Sequence, residues 1–353
     1  MIKVGSEREI KFDTSLRKKL FDFDLSNYET VQFAFKNKQY KIYKNFNLSI
    51  FTDSYCNADC KFCCAKLRYE QEKIEFSRNQ NYFEDYFKRL DALLAKVRPL
   101  NPSISITGGE PTLSVKFARI LELLDKYDFR KKVITTNGSN LLCKAKGSNK
   151  TCLELLNECR FDHLNISRTS YDDVANNTEM RFNNEDHTFS NADMETVVEL
   201  LKKMDSKMRI RMSCILLNRG ISSLDEIKKY VDFYKKLGVD NFVFRDLMVY
   251  DEKTVNKCIM EYYKEKRIDL YDLYEKFDAD SEFKKMLNIL GYYYYTEIFE
   301  YNGCTVATEK ADLQKEYEVL RDEEDSIYEL IFHPNGNLCA SWTQDEKVIE
   351  YEA

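Results

Sequence analysis

Three cysteines at the spacing Cys56-x3-Cys60-x2-Cys63 are the residues of this chain best suited to chemistry. They follow a strand-like run over 47–51, so a single short loop can turn all three thiolates inward around one soft metal centre. Thiolates select iron–sulfur clusters, zinc or Cu(I) over hard cations. A structural zinc site closes with four ligands, and the three histidines, His163, His187 and His333, all lie far along the sequence from this loop. Three thiolates that leave a coordination position open suit a [4Fe–4S] cluster with one iron free for a substrate. An iron–sulfur or zinc module that only binds is the alternative. Cys64 is a spare thiol, better read as a small buried residue than as a ligand.

A second chemical segment, Ser105-Ile-Thr-Gly108-Gly109-Glu110-Pro111, follows the next strand-like run. Its glycines permit close backbone approach and its glutamate supplies a carboxylate. Taken in order, the cysteine spacing with Phe62 before its last cysteine, and Gly108-Gly109-Glu110-Pro111, resemble the cluster loop and the GGEP segment of the radical S-adenosylmethionine (SAM) superfamily. The resemblance covers about residues 47–248 and leaves both ends uncovered. It implies a [4Fe–4S] cluster on Cys56, Cys60 and Cys63 whose free iron is chelated by the amino and carboxylate groups of SAM. Reduction of that cluster cleaves SAM to methionine and a 5′-deoxyadenosyl radical. The resemblance further places Phe62 behind the adenine and Gly108, Gly109 and Glu110 at the methionine amino group. Ser167 and Ser213, with Asn137, match strand-end positions that contact the ribose and carboxylate. Arg168 is one candidate for the SAM carboxylate, although strict alternation points it outward, and Arg211 competes with it. An electron donor such as flavodoxin or ferredoxin is implied as partner.

These residues need a scaffold, and the pattern from residue 47 supplies it as strand then helix, repeated. Strands are expected at 47–53, 102–107, 132–136, 163–168, 209–216 and 240–246, with helices near 82–97, 114–127, 151–159, 192–204 and 223–237. Six such repeats imply a parallel sheet with right-handed crossovers. The fold class is α/β, and the resemblance makes it a partial (β/α)6 TIM barrel with a small C-terminal α+β extension. Buried parallel strands normally read as continuous apolar runs, yet these alternate. Ser49, Phe51, Ser103, Ser105, Thr107, His163, Asn165, Ser167, Arg209, Arg211, Ser213, Asn241, Val243 and Arg245 fall on the face opposite the leucines and isoleucines. That pattern describes a wet lumen lined for a polar ligand; a self-satisfied hydrogen-bond network is the plainer alternative. The gaps at 54–81 and 169–191 follow strand ends and are candidate substrate loops, and Asp172, Asp173 and Glu179 in the second read as a solvated loop.

Three regions follow: an N-terminal β-hairpin extension over 1–45, the barrel over 46–250, and a helical and β-hairpin extension over 251–353. The last begins with helical, tyrosine-rich sequence from Thr254 to Leu290 and then carries two hairpin signals, Asn302-Gly303 and Asn335-Gly336. It faintly resembles the Twitch extension of peptide-modifying radical SAM enzymes, with its ligands missing, because Cys304 and Cys339 alone hold no cluster. Tyr292 to Tyr295 read as aromatic packing. On this placement a ribosomally made peptide is favoured as substrate, with a nucleotide, sugar or other small metabolite as the alternative. The arginines of the fifth strand suit a phosphate or carboxylate.

Composition sets outer bounds. At 353 residues, 43% hydrophobic and 32% charged, the chain is ordinary for a globular protein. A net charge of −6 argues against a broad nucleic-acid surface. No apolar run reaches membrane-spanning length and the N-terminus lacks a signal-peptide pattern, so a cytoplasmic protein with no membrane partner is expected. Eleven cysteines in that setting point to metal chemistry and buried thiols, not disulfides.

Overall fold

Apolar–polar alternation decides which way each strand of this protein faces. The structure, a computed structural model, describes residues 9–19, 28–65, 80–184, 187–250 and 257–352. A short strand β1 (Glu9–Lys11) precedes a hairpin of β2 (Thr30–Phe35) and β3 (Lys38–Phe51), closed by Lys36 and Asn37. The second arm of that hairpin runs on without a break into the first barrel strand, so hairpin and barrel share β3. Then come α1 (Gln80–Val97), β4 (Ser103–Thr107), α2 (Phe117–Asp125), β5 (Lys131–Thr136), α3 (Cys152–Glu158) and β6 (His163–Ser167). They are followed by α4 (Asp173–Met180), α5 (Asn191–Lys203), β7 (Arg209–Ile215), α6 (Leu224–Lys236) and β8 (Asn241–Arg245). The six parallel strands β3 to β8 are the expected ones, within a few residues at each end except for the N-terminal extension of β3. Thr151, Ser190 and Ser223 begin α3, α5 and α6 with reciprocal capping boxes, which fix where each crossover helix starts.

The chain continues through α7 (Lys257–Lys266), α8 (Leu270–Ala279), β9 (Lys284–Leu290), β10 (Tyr294–Tyr301), β11 (Cys304–Ala311), α9 (Leu313–Asp322), β12 (Ser326–Phe332) and β13 (Leu338–Cys339). Strand β9 lies where helix was expected. Its register is set from outside, by antiparallel pairing with β10 and β1. Both Asn-Gly turns are hairpins; Asn302 (φ 49°) and Gly303 (φ 71°) both take left-handed values between β10 and β11, as a two-residue turn of this kind requires. The C-terminal strands do not form a sheet of their own. Strand β11 pairs parallel with β8, and β12 pairs parallel with β3. The order β1-β9-β10-β11-β8-β7-β6-β5-β4-β3-β12-β13 makes one sheet that does not close.

Leu48, Ile50, Ile104, Ile106, Leu164, Ile166, Met212, Phe242 and Phe244 are buried in the main core beneath the helices. Along β4, β6 and the start of β7 the alternate residues stay half-buried, as expected of a lumen that admits water, whereas Ser49 and Phe51 on β3, Ser213 on β7 and Asn241 and Val243 on β8 are buried, contrary to that expectation. Tyr292 and Tyr295 are buried; Tyr292 stacks on Tyr328 at 4.9 Å, so these tyrosines pack. Among the described residues no helix is long and apolar enough to cross a membrane. Replacing Ile166 by Ala, on the core face, should cost about 2–5 kcal/mol. Ser103→Ala on the lumen face should stay within about 0.5 kcal/mol of wild type. Urea unfolding midpoints of the two variants check the assignment of faces.

Candidate active site

The loop after β3 is held by backbone contacts that require glycine. Thr52 N–H donates to Thr107 O at 2.8 Å, extending the β3–β4 pairing past the strand ends. Gly109 N–H then donates to Asp53 O at 2.6 Å, and Glu110 N–H to Tyr55 O at 2.8 Å. A Cβ on Gly109 would stand 2.0 Å from Tyr55 O, and one on Gly108 (φ 154°) would stand 2.6 Å from Thr52 Oγ1 and 2.8 Å from Asp53 O. Any side chain at Gly109 would force this loop away.

Glu110 is buried, and its carboxylate is already occupied by the protein. Oε1 accepts from Thr112 N–H (3.1 Å), Thr112 Oγ1 (2.6 Å) and Thr136 Oγ1 (2.6 Å), and Oε2 accepts from Asn137 N–H (2.7 Å). In this arrangement the carboxylate ties the end of β4 to the end of β5. Asn137 carries the link onward, donating to Asn57 Oδ1 at 2.9 Å and lying 3.8 Å from Cys56 Sγ. Asn57 in turn donates to Ser139 Oγ (3.0 Å) and His187 O (2.9 Å).

A second support comes from residues that sequence reasoning passed over or, for Asp172 and Glu179, read as a solvated loop. Asp59 N–H donates to Arg181 O (3.0 Å) and Asn183 N–H to Asn57 O (2.8 Å), laying the segment after α4 alongside the cysteine loop. Cys60 Sγ donates to Met180 O at 3.2 Å. Glu179 accepts from Tyr262 Oη (3.1 Å) and pairs with Lys266 (2.8 Å), both on α7, while Asp172 caps α4. The only hint of this in the sequence was the length of the gap after β6.

Cys56, Cys60 and Cys63 are reduced cysteines, partly accessible, on this one loop, and Cys64 beside them is exposed, not buried as expected. A hydrogen bond to Cys64, then burial, holds the Cys63 thiol well above its usual value, and the fields of Cys64 and Cys60 add to this. Among the described residues no three His, Cys, Asp or Glu side chains are gathered as closely as a single ion needs. Thiols are the donor type that an iron–sulfur cluster takes, and Cys56, Cys60 and Cys63 on this one loop are the residues that would hold it. Phe62 is half-buried against the small core around Leu217, Leu247 and Tyr263. Cys304 and Cys339 lie buried on β11 and β13, at opposite flanks of the sheet order, and do not face each other through strand pairing.

Along the lumen, Ser167 and Ser213 are register partners. Ser213 Oγ accepts from Arg245 Nη1 at 2.6 Å, and Arg245 Nε reaches Glu309 of β11 at 2.6 Å. Arg168 is elsewhere. Its side chain is buried on the helix-packed side, donating to Phe189 O and, at 2.6 Å, to Asp173. It clamps the helix layer in this arrangement, on the side that the outward parity of its position predicts. Surface clefts lined by Lys38, Tyr40 and Glu324, and by Asp232, Lys235 and Asn302, contain none of these residues.

Residues 51–217 match the family model described as the Radical SAM superfamily. The chain carries a radical SAM domain. Enzymes of this superfamily use a [4Fe–4S] cluster and SAM. Solved structures with a similar course include SuiB of Streptococcus suis bound to precursor peptide SuiA, at 16% identity and TM-score 0.47, covering 84% of this chain and 59% of that one. Native anSMEcpe with bound AdoMet has 17% identity and TM-score 0.40, covering 67% of this chain and 61% of that one. HemN of Escherichia coli, a coproporphyrinogen III oxidase, has 11% identity and TM-score 0.38, covering 81% and 72%. This chain thus spans about three fifths of the first two proteins. No curated protein matches it in sequence.

The radical SAM loop is also pinned by Lys116, whose buried ammonium donates to Thr52 O (3.1 Å) and Pro334 O (3.2 Å). Burial lowers its pKa to about 8 from 10.5. Between those values the unfolded chain binds more protons than the folded one, so stability should rise with pH across the window, by up to about 3 kcal/mol. Urea midpoints from pH 7.5 to 10.5 should show the rise in wild type and lose it in Lys116→Met. Gly109→Ala should fold yet retain little iron after anaerobic reconstitution; wild-type iron content in that variant would contradict the contact described above.

Proposed function

We propose that this chain is a radical SAM enzyme that binds one [4Fe–4S] cluster through Cys56, Cys60 and Cys63, binds SAM beside it, and acts by hydrogen abstraction on a polar substrate. The observation that carries the proposal is the docking of the Gly109–Glu110 backbone onto the loop that bears the three cysteines, within the segment that matches the superfamily. When bound, cluster and cofactor supply one-electron cleavage of SAM to methionine and a 5′-deoxyadenosyl radical.

The chain's own residues orient and enclose. Gly108 and Gly109 leave backbone room beside the cysteine loop, and Glu110 with Asn137 holds that loop against β5. Ser167 and Ser213 offer hydroxyls at the strand ends for the ribose or carboxylate of SAM, and Phe62 offers an aromatic face for its adenine. Packing of α7 over the loop limits water at a site that must shelter a reactive species. A flavodoxin- or ferredoxin-like donor supplies the electron, in the cytoplasm. For the substrate we favour a ribosomally made peptide, because the C-terminal strands flank the barrel where peptide-modifying members of the superfamily carry their extensions. A small metabolite is the second reading, favoured by the arginines of β7 and β8. The division into 1–45, 46–250 and 251–353 is retained as the functional one.

Anaerobic reconstitution should give about four irons per chain and dithionite-dependent 5′-deoxyadenosine. Cys60→Ala should lose both, by at least about 100-fold for the nucleoside. Stoichiometric zinc without iron, or undiminished SAM cleavage in Cys60→Ala, would refute the assignment. Co-expression with short peptides encoded beside the gene, read as a mass change, decides between peptide and metabolite.

A further inference from the structure

We propose that Arg211 receives an oxyanion of the substrate, a carboxylate or a phosphate, in the middle of the barrel lumen. The proposal rests on the radical SAM reading of the site and names the group by which its substrate is held.

The lumen-side arginines are accounted for with one exception. Arg245 is paired with Glu309 at 2.6 Å and bonded to Ser213, and Arg209 is paired with Asp240 at 3.0 Å. Arg211 makes no hydrogen bond and no ion pair among the described residues, although it is only partly exposed and lies between the core residues Ile210 and Met212. Its guanidinium is half-shielded yet keeps contact with water, so a ligand can reach it, and a planar fork accepts the two oxygens of a carboxylate or phosphate together.

The surroundings agree. Arg245 and Arg209 are near enough for their fields to lower the Arg211 pKa to about 10, after burial, and Glu309 is the one carboxylate that acts in the other direction. His163, also on the lumen face, is held neutral with its pKa pushed down to about 3 by burial, then by Arg211, Lys131 and Arg209. Its buried Nδ1 has no partner among the described residues. Low-dielectric walls lined by cations concentrate anions. Depth argues for substrate over cofactor. Arg211 pairs with Asn165 in register, two residues before Ser213, which places it roughly 6–7 Å further from the strand ends that carry the cysteine loop.

The test is thermal unfolding of the reconstituted holoenzyme with inorganic phosphate or with succinate, at constant ionic strength. Either anion should raise the midpoint by about 2–4 °C at roughly ten times its dissociation constant. Stronger stabilisation by phosphate identifies a phosphorylated substrate, and stronger stabilisation by succinate a carboxylate. Arg211→Gln should abolish the shift and Arg211→Lys should weaken it several-fold, while Arg209→Gln keeps it. In wild type the shift should persist with saturating SAM. Absence of any shift, a shift indifferent to both Arg211 variants, or a shift removed by SAM would each overturn the proposal; the last would give Arg211 to the cofactor. Failure of the radical SAM reading itself would look different: no iron uptake and no stabilisation by SAM.

Discussion

The whole site depends on two backbone hydrogen bonds, Gly109 N–H to Asp53 O and Glu110 N–H to Tyr55 O. They bring the turn after β4 against the cysteine loop after β3, so closely that Gly109 has no room for a β-carbon. A thiolate loop is otherwise a poor candidate for order: it is short, polar and partly exposed, and backbone ordering costs about 1–2 kcal/mol per residue. Its position is fixed because neighbours with regular structure claim its carbonyls and amides. The Glu110 carboxylate then transmits that position to β5 through Thr136 and Asn137, and Asn137 returns to the loop at Asn57. The buried polar groups in this circuit find partners, which is the condition under which a polar network rigidifies a site.

How far the sequence discloses this depends on the range of the interaction concerned. Strand faces are local, since Ile104 and Ile106 against Ser103 and Ser105 can be sorted by parity alone, and the six barrel strands were legible for that reason. The hairpin at Asn302-Gly303 was legible too, because left-handed backbone is a property of the turn residues themselves. Strand β9 was not. Lys284 to Leu290 carries no strong period of its own and continues a charged helical stretch, and only pairing with β10 and the distant β1 makes it a strand.

The candidate site divides the same way. Spacing exposes the three cysteines and the two glycines, because loop geometry constrains those residues directly. Glu110 was legible as important, but its structural partners Thr136 and Asn137 stand 26 and 27 residues away and nothing in the motif announces them. Arg168 shows that parity outranks analogy: its neighbours alternate, its side chain faces the helices, and it binds Phe189 and Asp173 there. The support of the cysteine loop by Met180, Arg181 and Tyr262 arises from tertiary packing that no local pattern foreshadows.

The C-terminal segment bears on all of this through charge. Its strand β11 extends the parallel sheet past β8 and brings Glu309 to Arg245, and β12 does the same beside β3 with Glu329, which accepts from Tyr292 and from Trp342 at 3.0 Å. A barrel ending at β8 would present Arg211 and Arg245 together, two like charges whose repulsion in a half-dry lumen would favour water entry over tight ligand binding. Pairing one of them with Glu309 reduces that repulsion and leaves a single fork with a defined direction. Through Glu309 the tail is thus part of the electrostatics of the lumen face.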